Sequence, residues 1–225
     1  MTFSVSGRCA ETGMFGLAVS SSSPSVAARC AHARAGVGAV ATQNVTDPRL
    51  GPKGLDLMAS GLSAQAALER LLADAPHAEY RQLTLIDAQG GTAAWSGEKT
   101  LGTHGSARGT DVVAAGNMLT STAIPQKMVE AFEAAKGQHL GDRLIAAMRA
   151  ALTAGGEEGP VHSIGLIMVD KVSWNVADLR VDWTEGNPVE ECAALWERWR
   201  GEMDAYVTRA LNPSGAPSYG VPGDL

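Results

Sequence analysis

Apolar and polar residues alternate through residues 2–9 (TFSVSGRC), pause at Glu11-Thr12-Gly13, and resume in FGLAVSSS. Two period-two runs on either side of turn-forming residues predict a β-hairpin. GVGAVATQ at 36–43 predicts a third strand, and the small-residue stretch SSPSVAARCAHARA before it predicts a loop or a short helix. The period then changes. Asp47-Pro48 opens a helix with apolar positions at Leu50, Leu55, Leu57 and Met58 and a stop at Gly61. Ser63 is placed to cap the next one, AQAALERLLADA, in which Leu68, Leu71 and Leu72 share a stripe. RQLTLIDAQGGTAAWSG returns to period two around Ala-Gln-Gly-Gly, a second hairpin, and TDVVAAGN adds a strand that ends at Asn117. Two helices over 122–136 and 139–153, a third hairpin over 162–183 and one long helix from Pro188 to about Leu211 complete the pattern.

Hairpins exclude an all-parallel sheet, because parallel neighbours need crossover connections. About eight strands and two helix pairs suit an α+β fold of two stacked, mostly antiparallel sheets with helices on both outer faces. No linker-like stretch interrupts residues 1–211, which read as one domain. Residues 212–225 (NPSGAPSYGVPGDL) read as a Pro/Gly-rich tail with no reason to be ordered alone. Leu195, Trp196, Trp199, Met203 and Tyr206 recur at helical spacing in the last helix. Core packing is the first reading, and two tryptophans so near an open tail also lead us to expect a homodimer.

Composition narrows the function. A formal net charge of -6, with its basic residues scattered, argues against a nucleic-acid partner. The longest apolar runs, such as GLIMV at 165–169, are strand-length and cannot span a bilayer. No basic segment followed by an apolar one opens the chain, so a cytoplasmic address is expected and the sequon at Asn44 is expected to stay unmodified. Cys9, Cys30 and Cys192 are far apart and read first as buried free thiols, with a disulfide left open. The five histidines show no HExxH and no cysteine pairing, so no metal is expected. Gly36-Val-Gly38-Ala-Val-Ala41 matches a loose dinucleotide fingerprint, but its glycines lie inside a strand-like run rather than before a helix. No cofactor is expected, and the glycines are read as close backbone packing.

Candidate chemistry begins at Thr2. If Met1 is trimmed, which a small second residue permits, Thr2 carries a hydroxyl and a free α-amine together. That amine has an ordinary pKa of about 7.7–8.0, suited to a general base near neutrality. A threonine activated by its own amine is an established nucleophile. The first position of the first strand would hold it rigidly. If Met1 is retained, the Thr2 nitrogen is an amide and cannot act as the base. A non-catalytic scaffold, or an enzyme that uses an internal residue such as Ser4 or Cys9, is then the reading.

MTFSVSG, GLAVSSSSP, ARAGVGAVATQ, DPRLGPKGLDLMASGLSAQAAL, RQLTLIDAQGGTAAWSGE, AAGNML and DLRVD together resemble the bacterial and archaeal "domain of unknown function 1028" family. The resemblance covers roughly residues 2–190. It implies a branch of the N-terminal-nucleophile (Ntn) hydrolases, with a four-layer αββα fold, and it implies amide hydrolysis through Thr2. Strand-end placement nominates Gln43, Asn44 and Asn117 as oxyanion donors, each with the alternative that it satisfies backbone groups. Ser22 and Arg34 are candidates for a substrate pocket. Where the family often places Lys or Arg after the second strand, this chain has Ser22. The expected partner is a small, soluble amide.

Overall fold

A computed structural model describes residues 1–223. β1 (Thr2–Arg8) and β2 (Phe15–Ser21) form the first hairpin. Its turn closes by a 2.9 Å bond from Cys9 N to Met14 O and by Gly13 at φ +80°. α1 (Ala27–Cys30) is a single turn that leads into β3 (Ala31–Arg34), which pairs with β4 (Gly38–Asn44). α2 (Leu50–Ala59) and α3 (Ala64–Asp74) follow, then the hairpin of β5 (Arg81–Asp87) and β6 (Thr92–Ser96). β7 (Gly105–Gly109), β8 (Val112–Asn117), α4 (Ile124–Ala134) and α5 (Leu140–Thr153) lead to the last hairpin, β9 (Ser163–Val169) and β10 (Ala177–Val181). α6 (Pro188–Trp199) and α7 (Met203–Leu211) close the chain.

The strands make two antiparallel sheets, one in the order β10-β9-β2-β1-β8-β7 and one in the order β3-β4-β5-β6. α4, α5 and α6 cover the outer face of the larger sheet around Phe3, Val5, Phe132 and Trp196. α2 and α3 cover the smaller one around Val40, Leu71 and Leu85. Leu17, Val19, Ala39, Ala41, Ile86 and Val113 fill the space between the sheets. This is the four-layer αββα sandwich expected from the hairpins and helix pairs. Side chains of β1 alternate between two of these layers: Phe3 and Val5 face the helices, while Thr2, Ser4 and Ser6 face the opposite sheet. A row of hydroxyls therefore enters the inter-sheet core.

Several local expectations are met. Ser63 caps α3, its side chain accepting from Ala66 N at 3.3 Å. Ser63→Ala is expected to lower stability by about 1 kcal/mol in urea unfolding. Gly38 sits at φ +155°, where an added Cβ would lie 2.1 Å from Ile86 O, so close backbone packing accounts for this glycine.

Others are corrected. β3 and β7 bring the strands to ten among the described residues, against the eight expected. The single long helix expected from Pro188 to Leu211 is two, broken at residues 200–202. Gly201 stands at the break, where a helical glycine would cost about 1 kcal/mol relative to alanine. The break lets Met203 turn into the core and lets Trp199 Nε1 donate to Val176 O at 2.9 Å. Trp196 is buried in the chain's own core, which meets the core-packing reading of this stripe rather than correcting it. The described part of the tail is anchored to α7: Arg209 donates to Pro217 O and Ser218 O and lies 4.0 Å over the Tyr219 ring. Asp224 and Leu225, the end of that predicted tail, lie outside the described residues.

Candidate active site

Sheet order determines what surrounds Thr2. β1 lies between β2 and β8, and its register sets Thr2 opposite Asn117. On the other side Phe3 pairs with Ser20, which brings Thr2 beside Ser21. Directly opposed residues share a face, with Cβ atoms about 4.5–5.5 Å apart. Thr2 Oγ1 donates to the Met1 carbonyl oxygen and lies 3.4 Å from Ser21 Oγ, which donates to the same oxygen. Ser23 N in turn donates to Ser21 Oγ at 3.1 Å. Thr2, Ser21 and Asn117 are all buried.

Below them runs an amide network that joins the two sheets. Ser4 Oγ donates to Gln43 Oε1 at 2.7 Å, and Gln43 Nε2 donates to Gln82 Oε1 at 2.7 Å. Asn117 Nδ2 donates to the same Gln82 oxygen at 3.0 Å. Gln82 Nε2 donates to Ser96 Oγ at 2.9 Å and to Gly116 O at 3.0 Å. Two of the three predicted donors, Gln43 and Asn117, thus meet on the Gln82 oxygen, with Asn117 opposite Thr2 and Gln43 bonded to Ser4. Asn117 Oδ1 is buried without a hydrogen-bond partner, so the amide nearest Thr2 is only half engaged.

Asn44 is elsewhere. At φ +69° it turns out of the strand, donates from Nδ2 to Tyr80 O at 2.7 Å and accepts from Leu101 N at 3.2 Å. It ties two loops together, which is the backbone-satisfying alternative. Arg34 also lies away from Thr2. It pairs with Gly38, five residues and about 17 Å along β4 from Gln43, and makes an exposed 2.8 Å ion pair with Asp56. Ser22 is close to the site, its backbone N donating to Glu157 Oε2 at 3.3 Å.

Glu157 is the residue that sequence reasoning missed. After α5, Gly155 (φ +112°) and Gly156 (φ +62°) reverse the chain, with Gly156 N bonded to Ala151 O at 2.9 Å. Bonds from Thr120 N to Gly156 O and from Glu158 N to Met118 O then clamp Glu157 opposite Leu119, two residues beyond Asn117. Glu157 is 5% exposed and its Oε1 has no partner. Burial pushes its pKa from 4.5 up to about 7, against the pull of the N-terminal ammonium and Ser22. No Lys or Arg side chain makes an ion pair with it among the described residues.

A carboxyl whose folded pKa is raised favours the protonated, folded state. Its contribution is complete below pH 4.5 and is lost as pH rises through 7. Unfolding free energy from urea titrations is therefore expected to fall by roughly 2–3 kcal/mol across that window. Glu157→Gln is expected to flatten the fall.

The sequence matches the model of DUF1028, described as a family of unknown function, over residues 2–192. The chain belongs to the DUF1028 family. A crystal structure of a DUF1028 protein from Silicibacter pomeroyi is 27% identical, with a TM-score of 0.80 over 88% of each chain. The chain is also similar, at 12% identity and a TM-score of 0.40, to Anbu (ancestral beta-subunit) from Yersinia bercovieri, over 91% of this chain and 97% of that one. No curated protein matches this sequence. Membership in DUF1028 is consistent with the layered fold but carries no activity with it.

Among the described residues no three His, Cys, Asp or Glu side chains form a metal-type cluster, and no helix is long and apolar enough to cross a membrane. Cys30 and Cys192 are buried and Cys9 is half-buried, all three unbridged.

Proposed function

We propose that this DUF1028 protein is an Ntn-type amidohydrolase whose nucleophile is Thr2, assembled when Met1 is removed. The observation that carries the reading is the position of the Thr2 hydroxyl. It is buried at the head of a central strand, bonded to a carbonyl oxygen, with Ser21 Oγ on the same oxygen. In the proposed reaction Thr2 Oγ attacks the amide carbon, and its proton passes to the Thr2 α-amine. The C–N bond breaks as the departing amine takes that proton, leaving an ester on Thr2. Water then attacks the ester, returns a proton to Oγ and releases the acid. Ser21 Oγ and the free N–H of Asn117 are the proposed donors to the developing oxyanion, with Gln43 holding that amide layer in place. Each such donor is worth about 10²–10³ in rate.

The test is made on protein expressed with no residue upstream of Met1. Its intact mass is expected to be lower by one methionine. A β-lactone, which acylates hydroxyl nucleophiles, is expected to add once, at Thr2 by peptide mapping. A trimmed chain that gains no adduct at Thr2 would remove the nucleophile. A chain that retains Met1 would favour the non-catalytic scaffold instead.

A further inference from the structure

Met1 has a carbonyl held by two hydroxyls, one of them the proposed nucleophile, and a side chain that lies beside Gly159. A Cβ added at Gly159 would come within 3.2 Å of Met1 Cε. Gly159 and Glu157 both line a cavity of about 280 Å³, with Leu152, Pro160 and Val161 along its walls. Glu157 is the only charged residue in that lining.

Acyl transfer from Thr2 N to Thr2 Oγ passes through a five-membered ring, so the carbonyl moves little more than a bond length. The groups around Met1 are therefore those that would surround an acyl group carried on Oγ. We propose that Met1 marks the acyl subsite, and that the substrates are amides whose acyl half is an α-amino acid with a free amine and an apolar side chain. This rests on Thr2 as the nucleophile. Glu157 is the ammonium's counter-ion: its Oε1 is buried and unpartnered, and Glu157 is the one charged residue that lines the cavity. A buried carboxylate left alone is costly, and a cation supplied by the ligand relieves that cost. An acyl group with its own carboxylate would meet Glu157 and no cation. The Met1 ammonium stays outside direct ion-pair distance while it is tethered to Thr2 N, a tether that a substrate does not have. Leu152, Pro160, Val161 and Gly159 leave room for an aliphatic side chain and offer it no charge.

The experiment compares L-methionine p-nitroanilide with its N-acetyl form on the trimmed protein. Hydrolysis of the free amine is expected to be at least tenfold faster in kcat/KM. Glu157→Gln is expected to bring the ratio near one, and Gly159→Val to slow the methionine substrate more than the alanine one. Binding supplies a second reading that needs no catalysis: L-methioninamide and its N-acetyl form are titrated onto Thr2→Ala by calorimetry, with the free amine expected to bind more tightly. Equal or faster hydrolysis of the acetylated substrate would overturn the subsite and leave Thr2 as the nucleophile. Preferential binding of L-methioninamide without hydrolysis would keep the subsite and overturn the amidase. Neither binding nor hydrolysis would overturn both.

Discussion

Thr2→Ala is expected to abolish amide hydrolysis, by on the order of 10⁴-fold or more, because it removes the only group proposed to form a covalent bond with the substrate. Stability is expected to change by no more than about 1 kcal/mol. The threonine side chain makes its hydrogen bond to a neighbour's carbonyl and a 3.4 Å contact with Ser21, and no sheet pairing depends on it. Alanine also permits methionine removal, so the variant should be trimmed like the parent. Loss of turnover with an unchanged urea midpoint then separates chemistry from folding. Thr2→Ser is the complementary variant, and it should keep most of the activity because the hydroxyl and the amine both remain. Full activity in Thr2→Ala would rule out the mechanism. Attention would then move to Ser4, although its Oγ already donates to Gln43 Oε1 and has no base beside it.

The parts of the fold that were legible in the sequence are those decided locally. Ser63 caps α3 through its own side chain, and the β1–β2 turn closes through Gly13, so the residues in place suffice to predict both. β7 was missed because GSARG carries no apolar alternation. Its pairing with β8 makes it a strand, and context of that kind overrides propensity. The helix break at Gly201 was hidden by a continuous apolar stripe, which α6 and α7 maintain from either side of the turn.

The site divides in the same way. Thr2 could be nominated because nucleophile and base belong to one residue. Asn117 and Gln43 could be nominated because strand ends are where such groups collect. Asn44 and Arg34 fit the same rule and lie elsewhere, one turned out by its positive φ and the other at the far end of its strand. Glu157 was invisible because Glu157-Glu158 after two glycines reads as a solvated turn. Only the order β2-β1-β8 and the Leu119 bridge bring residues 2, 21, 117 and 157 to one place.

Gln82→Leu is expected to cost about 3–5 kcal/mol in unfolding free energy, the largest stability loss for a single change near the site. Gln82 is fully buried, and each half of its amide serves two neighbours. Its oxygen accepts from Gln43 and Asn117, and its nitrogen donates to Ser96 Oγ and Gly116 O. Leucine is close in volume, so little of the cost should come from a cavity. The cost comes instead from two amide N–H groups and a backbone carbonyl left in a dry space between the sheets. Gln82→Glu separates the two halves. A carboxylate still accepts from Gln43 and Asn117 but cannot donate to Gly116 O, whereas a protonated carboxyl can. Gln82→Glu is therefore expected to be destabilised at pH 8 and partly restored at pH 5, while Gln82→Leu shows no such recovery. If Gln82→Leu unfolded at the parent's urea concentration, the amide layer would not be holding the sheets together. The orientation of Asn117 beside Thr2 would then need another cause.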